Sequence, residues 1–73
     1  MIDHYKTLDL SKDASQEEVR RAFRKLTKKF HPDRNVNRSH WATSQMKRLI
    51  EANRVLSNPK LREVYDRKHG HVY

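Results

Sequence analysis

The run "SQEEVRRAFRKLTKKFHPDRN", Ser15 to Asn35, decides the fold. Ser15 with Glu18 three residues later is the capping-box pattern, in which hydroxyl and carboxylate each satisfy a free backbone N–H at a helix start. A helix is expected from about Gln16. At about 100° per residue, Val19, Ala22, Phe23, Leu26 and Phe30 share one arc, and Arg20, Arg21, Arg24, Lys25, Lys28 and Lys29 fill the opposite side. Glu17 and Glu18 in the first turn and Lys28 and Lys29 in the last complement the helix dipole. Pro32 disfavours helical geometry at His31 and has no N–H to donate, so the helix should stop by about Phe30. His31, Pro32 and Asp33 then begin a loop in an extended, proline-stiffened segment.

Working outward, "HYKTL" before this run carries Tyr5 and Leu8 at helical spacing, a short first helix over about Asp3 to Leu8. After it, the loop "DRNVNRS" leads to Ser39, read as the cap of a third helix reaching about Leu56. Ala42, Met46, Leu49, Asn53 and Leu56 form its apolar face, with Ala52 at the margin. In "SNPK", Asn58 as cap and Pro59 at the first helical position start a fourth helix carrying Leu61, Val64 and Tyr65, with Gly70 placed to end it. The pattern is an all-α fold of four helices. Its second and third helices form an antiparallel hairpin joined by a loop of roughly nine residues, with two short flanking helices. "HPDRN" sits at the hairpin tip.

Seventy-three residues allow a single domain and no large enclosed active site. There is no cysteine, so helix packing alone must hold the core. No apolar run approaches the roughly 18 residues of a membrane span, and "MIDHYKTLDL" lacks the plan of a signal peptide. A soluble, unprocessed, cytoplasmic monomer is expected. Seventeen Lys and Arg against nine Asp and Glu give a net charge of +8, which favours an anionic partner.

Catalysis by His31 and Asp33 would need a nucleophile or bound ion in a dry pocket, and a solvent-facing tip offers neither. No enzyme activity and no cofactor are expected. His4, His31, His40, His69 and His71 lack a helical ligand spacing, so no metal site is expected either. The six cations with no acid between Val19 and Phe30 exceed what solubility requires, although a charged face is usually only a solvated one. Beside Phe23 and a constrained turn, such a ridge suits an acidic protein surface, with binding that weakens in salt.

Taken together, "DHYKTLDLSKDAS", "EEVRRAFRKLTKKFHPDRN" and "EANRVLSNPKLREVYD" resemble the J-domain of the DnaJ, or heat-shock-forty, co-chaperones over about Asp3 to Asp66, leaving a short tail to residue 73. The resemblance implies a module that docks on a DnaK-type chaperone of the seventy-kilodalton class and stimulates its ATP hydrolysis, which closes that chaperone on a client protein. It assigns His31, Pro32 and Asp33 to the activating signature, Arg34 and Asn35 to its continuation, and Arg20, Phe23, Arg24 and Lys25 to the partner-facing second helix. Val19, Ala22, Leu26, Phe30, Met46, Leu49, Ala52 and Leu56 take core positions. Clients would engage regions outside this chain.

Three departures stand out. Asp9 occupies the family's usual glycine after the first helix. Asn53 stands where tyrosine is usual. Left unpaired in the core its amide would cost roughly 1 to 3 kcal/mol, so it should bond a backbone group or lie at the helix edge. The loop from Asn35 to Trp41 lacks the family's glycine, leaving the role of Trp41 open between a cap on the core and something else. The rival reading is a small basic nucleic-acid binder. Against it, no recognition-helix signature follows Trp41.

Overall fold

The computed structural model describes residues 3–69. Four α-helices, α1 (His4–Thr7), α2 (Gln16–Phe30), α3 (Ser39–Leu56) and α4 (Pro59–Lys68), follow one another, with 3-10 turns at Pro32–Arg34 and Val36–Arg38 between α2 and α3. No strand occurs among the described residues. Gly70 and His71 lie outside them.

Local chemistry sets most of the boundaries. The Asp3 carboxylate accepts from the Tyr5 and Lys6 N–H groups at 3.0 and 3.3 Å, capping α1. That helix closes when Asp9 N–H donates to Lys6 O and Leu10 N–H to Tyr5 O, a paired C-terminal motif that needs a left-handed residue. Asp9 supplies it at φ 57°, so the turn geometry expected of glycine is kept by one of the few side chains that tolerate it. α2 starts on the expected capping box, with Glu18 N–H to Ser15 Oγ at 3.1 Å and Ser15 N–H to Glu18 Oε1 at 2.8 Å. Asn58 Oδ1 caps α4 through Lys60 and Leu61 N–H, with Pro59 in the first turn. Of the four α-helices among the described residues, only α3 lacks a side-chain cap. Ser39, expected as that cap, is instead its first helical residue, because the 3-10 turn ending at Arg38 runs straight into the helix.

α2 and α3 pack as the hairpin, and α1 and α4 also rest on α3. The core consists of Tyr5, Leu8, Val19, Leu49, Ala52, Val55, Leu56 and Tyr65, with Ala22, Phe23, Leu26, Phe30 and Met46 half-buried against it. Because α3 faces neighbours on two sides, its buried arc is wider than one stripe. Ala52 is therefore fully buried rather than marginal, and Val55 joins it. Asn53 is half-exposed at the helix edge, as one of its two expected placements requires.

α4 carries Leu61, Val64 and Tyr65 as expected. Tyr65 is buried, but Leu61 and Val64 stay 36% and 48% exposed. The helix is held to α1 through Tyr65, whose hydroxyl accepts from His4 N–H at 3.0 Å, and through Arg62 and Asp66. The Tyr5 hydroxyl donates to Asp66 Oδ1 at 2.6 Å and accepts from Arg62 Nε at 3.0 Å. Arg62 also donates to Ala14 O and Lys12 O at 2.6 and 3.2 Å. Burial, reinforced by the Asp66 hydrogen bond, pushes the Tyr5 phenol up to about 12. This network ties both ends of the described chain together, far from the hairpin tip.

Candidate functional site

The tip follows from Pro32. Its ring clashes with a helical His31, which takes φ −62° and ψ 133° and ends α2. Proline's fixed φ then suits the first position of a new turn, and Pro32–Arg34 forms a 3-10 helix closed by Arg34 N–H to His31 O and Asn35 N–H to Pro32 O. The signature is therefore a tight turn, not the extended segment expected. Only its first residue is extended, because the His31 ring caps the turn: Asp33 N–H donates to His31 Nδ1 at 3.1 Å. In the neutral ring that bond places the proton on Nε2, leaving an N–H donor on the far side of the imidazole.

Asn35 locks the turn to the helix. Its Nδ2 donates to Lys29 O at 3.1 Å and to His31 O at 2.8 Å, satisfying carbonyls that α2 leaves open at its end. The Asp33 side chain is 90% exposed, its carboxylate 3.7 Å from His31 Nδ1. A carboxylate is thus held in solvent by a turn with few degrees of freedom.

Behind it runs the cationic ridge. Arg20, Arg21, Arg24, Lys25, Lys28 and Lys29 are all exposed, spread over about 13 Å of helix at 1.5 Å per residue. Arg20 pairs with Glu17 at 3.1 Å, a solvent-exposed contact that leaves it available. Arg21 and Lys25 border a depression of about 270 Å³ floored by Leu8, Leu10, Ala22 and Leu26. Phe23 lies on the apolar side of α2, beside the cations, as its place in the helical arc requires. It is half-buried against the core and supports the ridge from beneath.

The structure therefore gathers His31, Pro32, Asp33, Arg34 and Asn35 into one turn, with Arg20, Arg24 and Lys25 farther up the same helix. Sequence reasoning left Trp41 unassigned and passed over Arg38. Phe30 meets Trp41 edge-on with centroids 5.2 Å apart, and the Arg38 guanidinium lies 4.0 Å above the indole. A tryptophan in the first turn after a loop was the available signal.

The family model described as DnaJ domain matches residues 3–66. The chain is 47% identical over 70 residues to a "Chaperone protein DnaJ" of Thermosipho melanesiensis, covering 96% of this chain and 18% of that protein. It is 43% identical over 67 residues to human "DnaJ homolog subfamily B member 3", covering 92% and 46%. Against the "DnaJ-like protein MG200 homolog" of Mycoplasma pneumoniae it is 51% identical over 69 residues, covering 94% and 7%. The chain spans less than half the length of each of these relatives.

Proposed function

Since this chain belongs to the DnaJ domain family, we propose that it docks on a DnaK-type chaperone and accelerates ATP hydrolysis there, catalysing nothing itself. The observation that carries this reading is the Asp33 carboxylate, 90% exposed on a proline-stiffened turn at the end of a cationic helix. The ridge supplies attraction to an acidic surface, speeding encounter. The tip supplies selectivity. Asp33 pairs with a basic group offered in the partner's activated state, and His31 Nε2–H donates beside it. Docking that favours the hydrolysing state by about 1 to 3 kcal/mol accelerates turnover roughly 5- to 150-fold. Because the relatives are longer, client capture is assigned to chain outside this module.

The test is single-turnover ATP hydrolysis by a DnaK-type chaperone with and without the domain. Wild type accelerates turnover, and Asp33→Asn does not while keeping its helicity and melting temperature. Normal stimulation by Asp33→Asn would refute the role. Duplex DNA binding that survives this substitution, with no effect on ATP turnover, would favour the nucleic-acid alternative.

A further inference from the structure

We propose that Trp41, wedged between Phe30 and Arg38, is a positioning residue that holds the His31–Asn35 turn in its docking geometry. The inference rests on the docking role proposed above and extends it to a residue outside the signature.

Neither 3-10 turn buries a residue, so the core does not fix where the loop sits. The second leg is also weakly anchored by hydrogen bonds. Arg38, at the N-cap of α3, supplies no side-chain cap, and Val36 is 75% exposed. Asn35 ties the first leg to the end of α2, whereas among the described residues no side chain caps the start of α3. Trp41 ties it instead. Its ring meets Phe30, the last residue of α2, at 66° in the edge-on arrangement that aromatic quadrupoles favour. On a ring that is still 36% exposed, the Arg38 guanidinium sits at 4.0 Å, well within cation–π range. The stack therefore spans the loop, joining the residue before the signature to the first turn of α3 and its N-cap Arg38.

Loosening this clamp widens the set of loop conformations and lowers the fraction of domains ready to dock. Apparent affinity falls in proportion to that fraction, while the fully docked complex is unchanged. Trp41→Ala should therefore raise the domain concentration giving half-maximal ATPase stimulation about five-fold, corresponding to a competent fraction of roughly one fifth, and leave the maximal rate near wild type. Trp41→Phe, which keeps an aromatic edge contact, should restore most of the loss, and Arg38→Met should weaken docking about two-fold. In the free domain, ¹⁵N heteronuclear NOE values for residues 31–38 should drop in Trp41→Ala, with helicity retained.

Unchanged NOE values in Trp41→Ala would overturn the inference, as would a loosened loop with an unchanged half-maximal concentration, or a Trp41→Phe variant as weak as Trp41→Ala. If wild type itself fails to stimulate, the docking reading falls, and the NOE comparison alone decides whether Trp41 holds the turn.

Discussion

The two ends of the hairpin are held by different forces. Where α1, α4 and the end of α3 meet, Tyr5, Leu8 and Leu56 are at most 1% exposed, and Arg62 joins Tyr5 to the carbonyls of Lys12 and Ala14. At the tip neither 3-10 turn buries anything, and order comes from short-range bonds such as Asp33 N–H to His31 Nδ1 and Asn35 Nδ2 to His31 O. Burial fixes the fold at one end. At the other, a few local constraints fix a shape and leave the side chains free to meet a partner. Stability and the proposed docking role are thus housed apart, and substitutions can separate them.

The largest effect expected at the buried end comes from Arg62→Met. It removes the charged donor from the Tyr5 hydroxyl, which keeps its bond to Asp66, and from the carbonyls of Lys12 and Ala14. It should cost about 1.5 to 3 kcal/mol in urea unfolding. Asp33→Asn at the exposed end should change stability by less than about 0.5 kcal/mol. Equal costs would break the comparison.

A smaller effect sharpens it. Asp9 holds a left-handed conformation that costs most L-residues about 1 to 2 kcal/mol, so Asp9→Gly should stabilise the domain by about 0.5 to 1 kcal/mol without altering ATPase stimulation.

The smallest concerns pH. His4 stacks on Tyr65 with centroids 4.7 Å apart, and its buried Nδ1 has no hydrogen-bond partner among the described residues. Burial lowers its pKa below the ordinary 6.5; His69 and Arg54 add to the depression, while Glu51 and Asp3 oppose it. As pH falls through 6.5 the unfolded ring takes up a proton that the folded ring refuses, so the unfolded state gains and stability declines. The melting temperature should fall between about pH 7.5 and about pH 5.5, and His4→Phe should flatten that slope. An unchanged slope in His4→Phe would place the sensitivity elsewhere.

Much of this architecture was legible because it is written in neighbouring residues. α2 begins and ends where Ser15, Glu18 and Pro32 say it should, and Asn58 with Pro59 starts α4. The exposed tip and the ridge followed from one helical wheel and one proline. What escaped depended on distant partners. Ala52 and Val55 are buried because α1 and α4 join α2 against α3, which no single stripe reveals. Leu61 and Val64 remain outside because no described residue fully covers that side of α4. The 3-10 turn at Pro32 depended on the His31 ring reaching Asp33 N–H. Trp41 was unreadable for the same reason, since its meaning lies in Phe30 across the loop.

The central claim is that an exposed carboxylate on a rigid turn couples docking to another protein's ATP hydrolysis. Single-turnover hydrolysis by a DnaK-type chaperone, titrated with wild-type domain and with Asp33→Asn, tests it directly. The account predicts saturable acceleration by wild type and none by the variant, at equal folded stability. Acceleration of equal size by both proteins would contradict it.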